Sequence, residues 1–290
     1  MRLINKTMDR MDLFTPEAKR LIEEINLLIL ELKRKNLRYS SWYGQFELAK
    51  MRRKLEQQNR GYGYELYPGA IDDLNIPWFL YWEIVWVYLN GGFKEGGRVL
   101  DMGGTSSLFS YFLCYKGCEV TTIDINEGLV ENADTVADRM GWSLKNFKMD
   151  MRSMTFQPES FDHITSICVY EHIPINDRVE VNKDISVFLK KNGRFSITFD
   201  YLNPSRVARI SSPQDVYSQF VDTTGFSVQG NADFFDNGKR YLLHPFYHTS
   251  RPWVYKLLQI SRSHFSLGEL FETKTANDYT FGALFLEKSN

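Results

Sequence analysis

The stretch from Arg98 to Asp124, RVLDMGGTSSLFSYFLCYKGCEVTTID, constrains the fold of this chain more than any other. A short apolar run, Val99-Leu100, ends in Asp101 and breaks at once into Met102-Gly103-Gly104-Thr105-Ser106-Ser107. Leu108, Phe109, Phe112 and Leu113 then recur at helical spacing, and a second apolar run from Val120 to Ile123 closes on Asp124. Strand, glycine turn, helix, strand and an acid at the second strand's tip make the opening unit of an open parallel sheet. Ligands of such sheets sit beyond the carboxyl ends of the strands.

The rest of the chain is consistent with that unit. Its 290 residues suffice for one large domain with an extension. The hydrophobic share of 43% and charged share of 24% are those of an ordinary globular protein. A net charge of −1 offers no broad electrostatic grip on nucleic acid, and Lys33–Lys35 and Lys50–Lys54 read as solvated helix faces. Cys114, Cys118 and Cys168 form no CxxC pair, so small buried thiols are expected. The N-terminus lacks a signal-peptide core, and the most apolar helix, Pro77 to Leu89, is too short to span a bilayer. A cytoplasmic protein with no membrane partner is expected, and a homo-oligomer is compatible with this composition.

Thr15-Pro16-Glu17 starts a helix whose Leu21, Ile22, Ile25, Leu28, Ile29 and Leu32 share one face. A second helix is expected over Ser41 to Gln58, and Gly61 to Gly69 reads as loop. The segment 77–89 is apolar nearly all round, with Glu83 its only charge, which predicts a helix buried between layers. Residues 1–97 thus read as an N-terminal helical extension or cap. From residue 98 the α/β alternation predicts strands over 98–102, 119–125, 146–151, 161–169, 193–201, 226–234 and 279–287. Helices are expected over 128–140, 178–191 and 215–224, and an insertion over about 236–275 precedes the last strand.

A dinucleotide site would set helix N–H groups against a pyrophosphate, where Asp101 is unwelcome, and the G-x-G-x-x-G spacing is absent. This disfavours a nicotinamide-dependent oxidoreductase. A carboxylate suits a ligand with an amino group and a sulfonium, which S-adenosylmethionine has without any phosphate. Asp124 is placed to accept from both ribose hydroxyls, and Asp150 from the adenine amino group.

On these residues the chain resembles the class I S-adenosylmethionine-dependent methyltransferases of small-molecule type, well over 98–201 and more loosely beyond. Val99 to Thr105 is similar to the family's first motif, Thr122-Ile123-Asp124-Ile125 to its second, and Met149-Asp150-Met151 to its adenine-contacting position. Phe161 to Ile173, with Glu171-His172, resembles the fourth-strand motif, and Leu189 to Phe195 the loop and strand that follow. The resemblance implies a Rossmann-like, doubly wound seven-stranded sheet of order 3-2-1-4-5-7-6 with the last strand antiparallel, filling 98–290. It also implies cofactor contacts from Asp101, Gly103, Gly104, Thr105, Asp124, Ile125, Asp150, Met151 and Val169. The chain departs from the family at Thr105, where a second glycine is usual and a side chain narrows the cofactor's approach, with Gly104 supplying the freedom instead. The hydroxyls of Thr105, Ser106 and Ser107 could donate to the methionine carboxylate, although exposed turn serines are the plainer reading.

Methyl transfer to an alcohol gains from a base, and His172, just past the fourth strand, is the candidate, with Glu171 beside it touching cofactor or acceptor. The plainer role for His172 is packing or capping before Pro174. Asp200-Tyr201 faces the same rim. His244 and His248 could line the acceptor pocket; Pro245 opposes a regular helix there, so no metal site is assigned. Tyr64, Tyr67 and Trp78 could close over the cofactor, or simply anchor core and loop. The expected acceptor is a small molecule or sugar-type compound methylated on O or N. The alternative is a non-catalytic member of the fold that binds the cofactor or a partner.

Overall fold

The computed structural model describes residues 3–40, 78–203, 209–241 and 280–289. The expected helix over 41–58, the loop over 61–69 and most of the 236–275 insertion lie outside them. Helix α1, Pro16–Arg34, begins where the Thr15 hydroxyl accepts from the Ala18 amide at 3.2 Å. Its apolar face, Leu21, Ile25, Leu28, Ile29 and Leu32, is buried. Helix α2, Trp78–Gly91, packs between α1 and the sheet, which is why it carries almost no polar face. Cys114 and Cys118 are free, buried thiols. Among the described residues no helix is long and apolar enough to cross a membrane.

The sheet contains β1 (Lys6–Thr7), β2 (Arg98–Met102), β3 (Glu119–Asp124), β4 (Leu144–Lys148), β5 (Phe161–Ile167), β6 (Leu189–Tyr201), β7 (Ser227–Val228) and β8 (Thr280–Glu287). Its order is β1-β8-β6-β5-β2-β3-β4, with β7 also paired to β8. Strands β4, β3, β2, β5 and β6 run parallel, and β8 lies antiparallel to β6. Counted from β2, this is the expected order, with the N-terminal strand as an addition. Helices α3 (Leu108–Tyr115) and α4 (Glu127–Met140) join α1 and α2 in one apolar core. Helix α5 (Ile175–Phe188) and residues 210–226 contribute to a second. The chain steps from β2 through β3 to β4 and then returns to β5 on the other side of β2, which opens a crevice at the strands' carboxyl ends.

Several boundaries differ from expectation. The third strand of the expected set ends at Lys148, because Asp150 starts a one-turn helix over Met151–Ser153. Helix α5 starts three residues early, directly after Pro174, and Leu189 already pairs with Phe161. The Lys190 to Gly193 stretch then bulges, with Asn192 left-handed at φ 59°, before Arg194 rejoins opposite His163. Only Ser227 and Val228 of the expected 226–234 strand pair with β8, at Glu287 and Leu286.

The remainder of that edge is covered from the other end of the chain. Lys6 and Thr7 pair with Ala283 and Gly282. Between the two short strands the buried Asn5 side chain accepts from the Phe285 amide at 2.8 Å and donates to the carbonyls of Gln229 and Asn231. One amide side chain therefore substitutes for a missing stretch of ladder. Asn5→Ala orphans these groups and should cost about 3 kcal/mol. Urea unfolding of the variant checks this, as a lower midpoint with an unchanged slope.

Candidate active site

The glycine turn is built by close approach. Gly103 has φ 75° and donates to the Ile123 carbonyl at 2.9 Å, which ties the end of β2 to β3. A Cβ on it would lie 2.5 Å from Val169 Cγ1, so the turn and the residues after β5 touch here. A Cβ on Gly104 would lie 1.9 Å from Asp101 Oδ2. Asp101 is 1% exposed and accepts from Ser110 Oγ at 2.5 Å and Thr165 Oγ1 at 2.9 Å. Burial pushes its carboxyl up to about 6, against the pull of those hydroxyls. Asp101, expected to meet a ligand amino group, lies beneath the turn and joins β2, β5 and the start of α3.

The hydroxyls that follow are committed to the protein. Thr105 Oγ1 donates to Thr122 Oγ1 at 2.8 Å, and Thr122 donates to Asn146 Oδ1 at 2.6 Å. The Thr105 side chain thus turns inward and does not narrow the approach. Ser106, left-handed at φ 62°, is fully buried and donates to the Leu129 carbonyl at 2.7 Å. Ser107 caps α3 by accepting from the Ser110 amide at 3.0 Å. Exposed turn serines are not what the fold makes, because α4 and the segment after α1 cover them. Asn132 of α4 bonds both Ser106 Oγ and the Arg38 carbonyl, and the Ser40 amide donates to the Ser106 carbonyl at 2.6 Å.

At the tip of β3 the half-buried Asp124 accepts from the Asn126 amide at 2.8 Å, and burial pushes its carboxyl above the usual range. Ile125 beside it is 72% exposed, an apolar face at the rim. Asp150 starts the turn after β4 and is held by Arg152, whose Nη2 lies 2.6 Å from Oδ2. That bond keeps the Asp150 carboxyl below its ordinary value. Met151, next to it, packs on the second core.

Beyond β5 the candidates diverge. Val169 begins a tight turn, Tyr170–His172, in which Glu171 is buried and His172 exposed. Glu171 Oε1 accepts from the Asp200 amide at 3.2 Å. No local sequence signal marks the group that braces this turn. Arg178 of α5, 1% exposed, donates from Nε to the Ile173 carbonyl at 2.9 Å and from Nη2 to the Glu171 carbonyl at 2.6 Å. It also bonds Gln219. One guanidinium therefore holds the carbonyls on both sides of His172.

A second unforeseen group is Glu83 of α2. Its Oε1 accepts from Cys168 Sγ and from Thr198 Oγ1, each at 2.7 Å. As the lone charge in an apolar helix it was visible in the sequence, but its partners were not. Burial pushes Glu83 up to about 7. Cys168, Glu171 and Asp200 bring potential ligand atoms within 4.8 Å of one another. In the structure the Cys168 thiol donates to Glu83, and burial with the surrounding carboxylates pushes it far up. Trp78 packs edge-on against Tyr241, while Tyr64, Tyr67, His244 and His248 lie outside the described residues.

The sheet order and the glycine turn after β2 make this a Rossmann-like α/β domain. Residues 100–197 match the family model for a methyltransferase domain. A "Ubiquinone biosynthesis O-methyltransferase" of Coxiella burnetii is 29% identical over 100 residues, 34% of this chain and 42% of that protein. The chain thus spans less than half the length of the curated relatives it matches. The YcgJ protein from Bacillus subtilis superposes with a TM-score of 0.51 at 17% identity, covering 72% of this chain and 98% of that one. The cyclase SpnF superposes with a TM-score of 0.50 at 16% identity, covering 77% and 82%. At such identities the superpositions establish the fold alone.

Gly104→Ala should displace the Asp101 carboxylate and cost about 3 kcal/mol. Gly141→Ala, in open space but at φ 66°, should cost about 1 kcal/mol from the backbone alone, and urea unfolding separates the two. A pH effect follows from Glu83. Its carboxyl is raised from 4.5 to about 7, so the folded protein retains a proton that the unfolded chain releases, and stability falls as pH rises through that window. Glu83→Gln has no such titration. Its stability relative to the parent should rise between pH 5 and 8, by up to about 1.4 kcal/mol per pH unit, in paired denaturation curves.

Proposed function

We propose that the chain is an S-adenosylmethionine-dependent methyltransferase that methylates an oxygen or nitrogen of a small-molecule or sugar-type acceptor. The observation that carries this is the arrangement around Gly103 and Gly104. The turn lacks side chains at these two positions, Asp124 stands at the next strand's tip, and the exposed Ile125 offers an apolar face there. These features fit an adenosyl ligand: Asp124 accepts from the ribose hydroxyls, Ile125 and Met151 flank the base, and Asp150 receives its amino group. Val169, seated on Gly103, adds the contact nearest the acceptor side. The printed name of the Coxiella relative favours oxygen as the methylated atom.

The cofactor supplies a sulfonium-bound methyl group with an excellent leaving group. The chain's own task is alignment and exclusion of water. His172, exposed on the braced turn, is the base that takes an acceptor's hydroxyl proton. Glu171, buried against the end of β6, shapes the floor beneath the acceptor. Residues 1–97 act as a cap on the domain. A homo-oligomer and a cytoplasmic location remain part of this proposal.

The test is paired. S-adenosylhomocysteine should raise the melting temperature while NAD and NADP do not, and Asp124→Ala should weaken its binding by about tenfold or more, 1.4 kcal/mol, in calorimetry. Labelled methyl groups should pass to a small molecule in an extract, and His172→Ala should lose the transfer while retaining S-adenosylhomocysteine binding. Stabilisation by NAD alone would overturn the cofactor. Binding of S-adenosylhomocysteine without any transfer would favour the non-catalytic alternative.

A further inference from the structure

Residue 168 is where the chain leaves β5 and enters the turn that carries Val169, Glu171 and His172. Cys168 is left-handed there, at φ 49°, a conformation that L side chains disfavour and glycine adopts freely. The surroundings impose it. The Cys168 amide donates to the Thr198 carbonyl and hydroxyl, both at 3.1 Å, and its thiol donates to Glu83. The Thr198 hydroxyl donates to the same Glu83 oxygen. A single carboxyl from the N-terminal helix α2 thus gathers the end of β5 and the middle of β6. Asp200, two residues along β6 from Thr198, and Glu171 are the other acidic groups close to this knot. Three buried carboxyls and a thiol in one place are expensive to desolvate, and a purely structural junction could use apolar side chains instead.

We propose that Glu83 is a positioning residue: by accepting from Cys168 and Thr198 it holds Cys168 in its left-handed conformation and so sets the 169–172 turn against Gly103. The link between this turn and cofactor binding rests on the function proposed above; the link between Glu83 and the turn does not. The N-terminal helix then becomes part of the site machinery although it touches no reacting atom.

The mechanism implies a specific suppressor. Glu83→Ala removes the acceptor, so backbone hydrogen exchange over 168–173 should rise and S-adenosylhomocysteine affinity should fall about tenfold. Glu83→Gln retains a carbonyl acceptor and should restore both. Glu83→Ala with Cys168→Gly should also restore both, because glycine reaches the left-handed conformation unaided. If Glu83→Ala proves too unstable, Glu83→Leu removes the acceptor while filling its volume: it should raise exchange over 168–173 in the parent and leave exchange and affinity unchanged in a Cys168→Gly background.

Unaltered exchange in Glu83→Ala, or rescue by glutamine but not by glycine at 168, would overturn the proposal, the latter leaving Glu83 as a packing residue. If the parent protein binds no S-adenosylhomocysteine yet exchange follows the stated pattern, the positioning role stands and the cofactor assignment fails.

Discussion

The burial of the Asp101 carboxylate beneath a glycine turn is the constraint on which the rest of the site depends. An acid this deep needs donors, and the structure provides two hydroxyls from different elements, Ser110 at the start of α3 and Thr165 on β5. Those bonds fix where α3 begins and how β5 lies beside β2. They also exclude any side chain at residue 104, whose Cβ would occupy the carboxylate's place. The next glycine contact, Gly103 against Val169, passes the same constraint to the turn beyond β5. The first and fourth loops of the crevice are therefore one packed unit.

Among the described residues, the segment before β2 joins the sheet domain at widely separated points. Asn5 and β1 complete the outer edge of β8, the Ser40 amide closes on the Ser106 carbonyl, and Glu83 reaches under Cys168. These contacts tie it to the far edge of the sheet, to the glycine turn and to the end of β5. Edge completion matters for a physical reason as well. With β7 only two residues long, β8 would otherwise present unpaired amides to solvent.

The helix starts and the parallel strands were legible because their signals are local. Thr15-Pro16 caps α1, and the apolar steps along it name its buried face. The strand order followed from a family resemblance carried by a few motifs. What escaped had no local period. Two-residue strands such as β1 and β7 are set by distant partners, Ala283 for Lys6 and Glu287 for Ser227, as is Asn5 by Phe285. The orientation of Thr105, Ser106 and Ser107 depends on Thr122, Leu129 and the Ser110 amide, of which only the last is nearby in sequence, so three hydroxyls in a turn resembled a solvated loop. Arg178 was hidden as one more charge on a helix, and nothing in its neighbours marks it as fully buried. Glu83 stood out by contrast alone, a single acid in an apolar helix.

These features bear on how a methyl transfer would be accelerated here. The reacting sulfonium needs little chemical assistance, so the useful contribution of the protein is to hold two molecules in line and keep water out. A rim built for that should be stiff, and this one is. Arg178 pins the carbonyls on either side of His172, Tyr170 is bonded to Asn182 and to the Arg178 carbonyl, and Cys168 is held in an unfavoured backbone conformation. Such bracing concerns geometry more than acid–base power. It also separates fold from function: the cyclase SpnF shares this architecture, so the sheet alone does not decide the chemistry. On the function proposed here, the deciding residues would be those at the ends of β5 and β6, where this chain places the buried Glu171 and Asp200 and the exposed His172.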